Sequence, residues 1–260
     1  MIGLHAYWLG PGACEIAGVT EEAARAAIAD RPIDIIIQPA EGRRKRLLVA
    51  DLESTIIENE MLEELADFLG LRAPVAEITR RAMNGEIDFV GALAERVALL
   101  RGLSESVLGE AATRIRIMSG ARSLIATLRR AGVTTALVSG GFTVFAERVA
   151  AELGFDRVVA NRLDITDGKL TGTVSPSIVT GATKLETLVS LAEKLGIGLD
   201  ATLAVGDGAN DLPMLQAAGL GIAFRAKPAV AAASRHRIDH ADLTALLYAQ
   251  GYRQDEIAAT

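Results

Sequence analysis

Short apolar runs that alternate with amphipathic helical segments occupy most of the chain after residue 46. Four of these runs predict strands that are apolar along their length: Leu47–Ala50, Thr134–Val138, Thr202–Val205 and Leu220–Phe224. Helices are predicted beside them at Ala121–Ala131, Thr143–Leu153, Thr183–Leu195 and Asp211–Ala217. Shorter strands are predicted at Val158–Ala160 and in a hairpin around Asp167-Gly168-Lys169. Strand–helix alternation with apolar strands predicts an α/β fold with a Rossmann-like parallel sheet covered on both faces.

Between the first two of these strands, about residues 59–118 carry helical patterns and no strand pattern. Helices are predicted over Glu60–Leu69, from Pro74 to a turn at Asn84-Gly85, over Phe89–Leu100, and after Ser104. Since these helices follow one another without a strand, they are predicted to form one inserted bundle.

The first 44 residues are predicted to form a small appendage. Thr20 is a candidate cap for a helix over Glu21–Ala29, and a strand is predicted at Ile33–Gln38. A polar, basic linker from Pro39 to Arg46 then leads into the first strand of the sheet.

Composition limits the classes of function. Half of the 260 residues are hydrophobic and 23% are charged, which is enough for one large domain or one domain with a smaller module. The formal net charge is −6, and no basic stripe of the kind that binds nucleic acid is visible. The only basic cluster, Arg43-Arg44-Lys45-Arg46, is interpreted as a solvated approach to the first strand.

Other residue types exclude further classes of site. Cys14 is the only cysteine, so an intrachain disulfide and a cysteine-built zinc site are both impossible. His236 and His240 lie in a polar region and are predicted to be on the surface. Neither an apolar run of about 20 residues nor a leader pattern is present, so a soluble cytoplasmic protein without membrane contacts is expected.

The first candidate for chemistry is a pair of carboxylates, Asp51 and Glu53, that directly follows the first predicted strand. Residues i and i+2 of an extended chain point the same way, so both side chains can face one small space. One carboxylate can attack an electrophile while the other moves a proton. The alternative is an acidic turn that caps the following helix.

Three more clusters are predicted to converge on the same edge, because ligands of parallel sheets bind at the carboxyl ends of strands. They are Ser139-Gly140-Gly141-Phe142, Lys184, and Gly206-Asp207-Gly208-Ala209-Asn210-Asp211. Asp51 and Asp207 offer hard oxygen ligands for Mg²⁺, while a hydroxyl, exposed backbone N–H groups and a lysine suit a phosphate. Together they indicate phosphoryl transfer. Each alone has an ordinary alternative: a turn, a solvated lysine or a capped helix start.

The order of these motifs resembles that of the phosphoserine phosphatases of the haloacid dehalogenase superfamily. The likeness extends from about Leu47 to Ala232. It includes the Asp51-x-x-Ser54-Thr55 run, the serine–glycine run, Lys184 and the Gly206–Asp211 run. Three segments of the helical insertion agree with the same branch: Glu58-Asn59-Glu60, Arg81-Ala82-Met83-Asn84-Gly85, and Phe89 through Arg96.

The resemblance implies a role for each residue at the strand ends. Asp51 would attack phosphorus and form an aspartyl-phosphate, and Glu53 would act as the general acid and base. Mg²⁺ would be held by Asp51, the backbone carbonyl of Glu53, Asp207 and Asp211. The phosphoryl group would be bound by Ser139, the Gly140 N–H, Lys184 and Asn210.

The resemblance also implies three domains and a substrate site between two of them. An appendage (residues 1–44) would precede a phosphatase core (45–58 and 119–260) interrupted by a helical cap (59–118). In the cap, Glu60 would meet the substrate ammonium and Arg96 its carboxylate, while Met83 and Phe89 would close the apolar side. The alternative for Arg96 is an ordinary surface pair with Glu95 or Glu86.

The implied activity is Mg²⁺-dependent hydrolysis of O-phospho-L-serine, a small phosphomonoester, to L-serine and phosphate in serine biosynthesis, by a monomer or homodimer. Transfer of the phosphoryl group to another alcohol, hydrolysis of another phosphomonoester, and a binding protein without turnover remain alternatives. The residues do not decide between L- and D-phosphoserine.

Two features depart from the family pattern. Glu53 stands where the family has aspartate, and its stem is one methylene, or about 1.5 Å, longer; a misplacement of about 1 Å costs on the order of 100-fold in rate. We therefore expect Glu53 to fold back so that its carboxylate is correctly placed. The appendage is also too short to be the larger N-terminal module that relatives often carry.

Overall fold

A computed structural model of the chain describes residues 6–28, 31–83 and 86–259. The described strands are β1 (Ala6–Gly10), β2 (Ala13–Ile16), β3 (Leu47–Ala50), β4 (Thr134–Phe142), β5 (Arg157–Asn161), β6 (Leu163–Thr166), β7 (Lys169–Val174), β8 (Thr202–Gly206), β9 (Leu220–Phe224) and β10 (His236–Ile238). The described helices are α1 (Glu21–Ile28), α2 (Met61–Phe68), α3 (Arg72–Met83), α4 (Phe89–Ala98), α5 (Ser106–Ala112), α6 (Ala121–Arg130), α7 (Thr143–Leu153), α8 (Gly181–Lys194), α9 (Leu212–Ala217), α10 (Pro228–Ala233) and α11 (Ala245–Ala249).

Six parallel strands form the central sheet, in the order β10-β9-β8-β3-β4-β5. The predicted α/β fold with a parallel sheet is therefore confirmed. All four residues of β3 are fully buried, and they alternate between two apolar clusters that cover the two faces of the sheet. Ala50 lies opposite Leu137 of β4 and Val205 of β8, so these three strands end at the same edge.

Strand β4 is longer than the prediction, which ends it at Val138 and places a turn at Ser139-Gly140-Gly141. The strand continues to Phe142, and its register against β5 shifts between Ser139 and Phe142, so the glycines form a bulge within the strand. Bulges re-aim the backbone and are common beside active sites. Here the bulge keeps Ser139 at the sheet edge and leads directly into α7.

Helices α2 to α5 lie between β3 and β4 in the chain, as the helical patterns predict. Asn59 joins the two ends of this segment: its side chain donates to the Arg114 carbonyl and accepts from the Arg116 N–H. Helix α3 begins two residues before Pro74. The turn predicted at Asn84-Gly85 lies outside the described residues.

The N-terminal segment differs from its prediction. Its first described element is the β1–β2 hairpin, which was not predicted although Pro11-Gly12 is a turn signal. The strand predicted at Ile33–Gln38 is wrong. Asp34 instead accepts backbone N–H groups of residues 239–241, and Gln38 donates to the Ala249 carbonyl. Side-chain contacts, rather than a strand ladder, thus attach this segment to the C-terminal part of the chain.

The basic linker is also more tightly attached than expected. Arg43 pairs with Glu15 at 2.8 Å and Arg44 with Glu256 at 2.7 Å. Lys45 is buried, and its Nζ donates to two backbone carbonyls, those of Gly42 and Asp200. The interpretation of this run as simply solvated is therefore wrong.

Near the C-terminus, His236 is buried in β10, which corrects the predicted surface position, whereas His240 is exposed as predicted. Strand β10 was missed because three residues with a polar centre carry almost no periodic signal. Within the described ranges, no helix is long and apolar enough to cross a membrane.

Candidate active site

Lys184 is the centre of a buried cluster at the carboxyl edge of the sheet. Its Nζ donates to Asp51 Oδ1 at 2.5 Å and to Asp211 Oδ1 at 2.6 Å, and its side chain is 0% exposed. Helix α8 places it there, because Thr180 and Thr183 form a capping box that starts the helix one turn ahead. The alternative of a solvated lysine is excluded by this geometry.

Burial by itself lowers the pKa of Lys184, but the two carboxylates outweigh that effect and hold the pKa above its ordinary value. For Asp51 the balance is reversed. Burial, reinforced by Asp211 and Asp207 and opposed by Lys184, raises its pKa to about 7. Burial also raises the pKa of Asp207 to about 6, although Lys227 opposes this shift. A single buried lysine therefore does not compensate the acidic charge at this edge.

Asp51, Asp207 and Asp211 each offer a carboxylate oxygen, and the three oxygens lie within 4.8 Å of one another. Asp211 is additionally fixed by the Gly208 N–H, which donates to Oδ2 at 2.9 Å. Hard oxygen donors with excess negative charge are the surroundings that divalent cations such as Mg²⁺ prefer. The donor set therefore fits a divalent metal ion.

The β4 bulge brings a hydroxyl and backbone amides to the same edge. Ser139 is buried, and its Oγ accepts the Gly141 N–H at 2.9 Å. The Gly140 carbonyl accepts a hydrogen bond from Asn161 Nδ2 at 2.7 Å. Asn210, in the turn before α9, faces this bulge: its Nδ2 is 3.9 Å from the point where a Gly140 side chain would begin.

Glu53 folds back towards the helical segment. Its Oε1 accepts the backbone N–H of Met61, the first residue of α2, at 2.8 Å. Burial of the carboxyl group raises the pKa of Glu53 to about 8, with Glu60 and Asp51 adding to the shift and Arg96 opposing it. A raised pKa favours the protonated form of the carboxyl group, which suits a proton donor. The alternative in the sequence analysis is an acidic turn that caps the following helix. The hydrogen bond from the Met61 N–H to Glu53 is a contact of that kind.

The remaining predicted residues lie on the other side of this space, on the α2–α5 segment. Glu60 is exposed and accepts the Ser54 hydroxyl at 2.7 Å. The Phe89 ring is 38% exposed, and its Cζ is 3.2 Å from the point where a Gly140 side chain would begin. The side chain of Met83 lies outside the described part of the structure.

Arg96 lies close enough to three glutamates to interact with their charges. Burial lowers its pKa, and Glu53, Glu60 and Glu63 are the charges that oppose this shift. Its Nε donates to the Ala92 carbonyl at 3.2 Å. Glu95 and Glu86, the surface partners considered in the sequence analysis, pair instead with Arg81 at 2.8 and 3.7 Å.

Known proteins are similar to this chain in sequence and in fold. The sequence profile of the haloacid dehalogenase-like hydrolases matches residues 48–216. The chain belongs to this family. The phosphoserine phosphatase of Streptococcus thermophilus is 46% identical over 76% of this chain and 93% of its own length. That of Streptomyces coelicolor is 43% identical over 94% of this chain and 61% of its own length.

Among solved structures, a phospho-aspartyl intermediate analogue of phosphoserine phosphatase superposes with a TM-score of 0.74 at 40% identity, covering 79% of this chain and 98% of that one. This haloacid dehalogenase-like chain thus lies in the branch that contains the phosphoserine phosphatases. It spans about three fifths of the length of the first curated relatives that it matches, 61% and 57%.

One buried residue beside the site was missed in the sequence analysis. Asn161 donates to the Gly140 carbonyl and accepts the Val179 N–H at 2.8 Å, so it joins the bulge to the loop that precedes α8 and Lys184. The position of Asn161 in the sequence could have identified it. It is a polar residue that directly follows the apolar strand predicted at Val158–Ala160, at the same edge of the sheet as Asp51.

Proposed function

We propose that this chain is a Mg²⁺-dependent phosphatase that hydrolyses O-phospho-L-serine to L-serine and phosphate through an aspartyl-phosphate on Asp51. The observation that carries the proposal is the contact of Asp51 with the buried Lys184, in a cluster of three carboxylates at the edge of the sheet. Phosphoserine phosphatases that this chain matches over nearly their whole length support the substrate.

In the first half-reaction, an Asp51 carboxylate oxygen attacks phosphorus, and the bond from phosphorus to the serine oxygen breaks. Glu53 donates its proton to that leaving oxygen, so that serine departs as a neutral hydroxyl. In the second half-reaction, Glu53 accepts a proton from water as the water attacks phosphorus. The bond to Asp51 then breaks and releases phosphate.

The phosphoryl oxygens would be bound by the Ser139 hydroxyl, the Gly140 N–H, Lys184 and Asn210. Ser139 and Lys184 are buried and hydrogen-bonded within the protein, so these two donors need little reorganisation. Donors that need no reorganisation stabilise the transition state best.

Asp51, the backbone carbonyl of Glu53, and Asp207 would hold Mg²⁺, with Asp211 supporting the site. The bound metal ion supplies positive charge that offsets the charge on the phosphoryl oxygens. Asp51 and Asp207 have raised pKa values without the metal, which is the condition under which a cation is most strongly needed.

The body of the substrate would lie against a cap formed by residues 59–118, above a core of residues 45–58 and 119–260, with residues 1–44 as an appendage. Glu60 would bind the ammonium group and Arg96 the carboxylate, in a contact that can be bidentate. Phe89 and Met83 would close the apolar side. We also propose a cytoplasmic enzyme of serine synthesis that acts as a monomer or homodimer.

The test is phosphate release from L-phosphoserine with Mg²⁺ or with EDTA, beside D-phosphoserine and a panel of other phosphomonoesters. Selective, metal-dependent release from L-phosphoserine is the expected result. Release from another ester alone would discard the substrate and keep the chemistry. Loss of free phosphate when alcohols are added, with phosphorylated alcohol formed, would identify a phosphotransferase. A folded protein that hydrolyses nothing would contradict the proposal.

A further inference from the structure

Two adjacent glycines in the β4 bulge face different neighbours. A side chain at Gly140 would begin 3.2 Å from the Phe89 ring. A side chain at Gly141 would begin 2.7 Å from Glu53 Oε2, 3.0 Å from its Cδ and 3.1 Å from its Oε1. Cβ atoms essentially never lie under 3.0 Å from another non-bonded heavy atom, so a side chain at Gly141 would require the Glu53 carboxylate, the far end of a flexible side chain, to move.

The backbone at Gly141 does not itself require glycine. Its φ is outside the positive range that eleven other glycines of the described chain adopt, so alanine could take the same conformation. Its N–H, which donates to Ser139 Oγ, would be kept in alanine. The constraint on this position therefore comes from the Glu53 carboxylate.

The carboxylate is held from its other side as well. Glu53 Oε1 accepts the Met61 N–H, so the group lies between the Cα of Gly141 and the first turn of α2. A carboxylate that moves away from a new methyl group has to do so while it is held by the Met61 N–H. A displacement of a few tenths of an ångström would also move the group that transfers the proton in the proposed function.

We propose that Gly141 is a positioning residue that leaves room for the carboxyl group of Glu53 and sets where this group lies. The inference rests on the proposed function, in which Glu53 moves the proton to and from the reacting oxygens. It assigns to Gly141 a role separate from that of Gly140, whose N–H faces the phosphoryl group in the proposal. An aspartate at position 53, one methylene shorter, would not reach the space that Gly141 leaves open.

The experiment is a cycle of four proteins: wild type, Gly141→Ala, Glu53→Asp and the double variant. Gly141→Ala is expected to lower kcat for L-phosphoserine at least about tenfold with KM nearly unchanged, since about 1 Å of misplacement costs on the order of 100-fold. In the Glu53→Asp background, the same alanine is expected to change kcat less than about threefold, because the shorter side chain does not contact position 141. Such a difference between backgrounds is the mark of two residues in direct contact. Gly109→Ala, where an added methyl meets nothing within 4 Å, is the matched control.

Equal losses in both backgrounds would overturn the inference, because the alanine would then act through the backbone. No loss in the glutamate background would overturn it too. If Gly141→Ala fails to fold, folding of the double variant supports the inference, and failure of both overturns it. Should the wild type hydrolyse nothing, the proposed function fails separately. The four proteins are then compared by thermal unfolding. Gly141→Ala should lower the unfolding temperature of the protein with Glu53 and not that of the Glu53→Asp variant.

Discussion

The two sides of the candidate site are built differently. At the sheet edge, Lys184 and Asp211 are fully buried and joined by short hydrogen bonds before any ligand is present. On the α2–α5 side, Glu60 and Phe89 are exposed. Parallel strands that end together position the first group, whereas the second group lies at the starts of helices at the surface of the protein. In the proposed function, the reaction therefore takes place among buried groups, and substrate recognition uses exposed ones.

The largest effect is expected from Asp51→Asn, which removes the nucleophile from the sheet edge. Turnover of phosphoserine should fall about 10⁴-fold or more, because the amide cannot serve as the proposed nucleophile. Asparagine keeps the volume, and Lys184 keeps its contact with Asp211, so the fold should survive. Steady-state kinetics beside circular dichroism would check this. Activity within tenfold of wild type would remove Asp51 from the mechanism.

Glu53→Gln tests the residue that connects the two sides. The amide can still accept the Met61 N–H but cannot donate a carboxyl proton, so kcat should fall by about 10²–10⁴-fold. Mg²⁺ binding, measured by calorimetry, should change little because the backbone carbonyl of residue 53 is retained. Near-normal turnover would contradict the acid–base assignment. Lost metal binding with normal folding would show that the side chain itself supports the metal.

Arg96→Ala tests the recognition side. We expect KM for phosphoserine to rise about 10- to 100-fold, or about 1.4–2.8 kcal/mol, with a smaller change in kcat. Phosphoethanolamine lacks the carboxylate, so its hydrolysis should hardly respond to the same change. Arg80→Ala, which removes an exposed arginine paired with Glu77 on the same segment, is the control. An equal loss on both substrates would mean that Arg96 does not read the carboxylate.

Removal of residues 1–40 touches neither side of the site, so kcat should stay within about twofold of wild type. The truncation deletes Asp34 and Gln38, whose hydrogen bonds hold the C-terminal segment, so stability should fall by about 1–3 kcal/mol. Removal of residues 1–31 keeps both contacts and should cost less. Denaturant unfolding of both truncations would measure the difference. A large loss of kcat in a folded truncation would connect this segment to catalysis.

The smallest effect is expected from His236. Burial lowers its pKa in the folded protein, with Arg235 adding to the shift and Glu21 opposing it. The unfolded chain therefore binds the proton more readily, so this residue makes the protein less stable as pH falls below the unfolded pKa of about 6.5. His236→Leu should flatten the slope of unfolding free energy between about pH 6.5 and 5. An unchanged slope would contradict this.

Prediction from sequence succeeded where the candidate site residues directly follow segments with a clear local pattern. Apolar strands followed by polar residues placed Asp51, Ser139 and Asp207 at one edge, because parallel strands allow no other arrangement. It failed where partners are distant in the chain. Nothing near Asp34 indicates that its carboxylate serves backbone groups some 205 positions later, and that contact replaces the predicted strand.

In the candidate site, too, residue identities could be predicted from the sequence, whereas contacts between distant parts of the chain could not. The resemblance assigned Lys184 and Arg96, but their depth and partners are properties of the assembled fold. Glu53 could be expected to fold back, yet its contact with α2 and the space left by Gly141 depend on the β4 bulge. That bulge was read as a turn because the register of neighbouring strands cannot be deduced from one run of small residues.

The contact between Lys184 and Asp51 joins positions 133 apart in the chain. Such contacts form late in folding, since a long loop must close before they contribute. An incomplete chain that ends before α8 would carry the nucleophile and no ion pair to hold it. Ligands that bind only the closed site would then stabilise the finished protein over every partly folded form, and phosphate or Mg²⁺ would act as a reporter of complete folding.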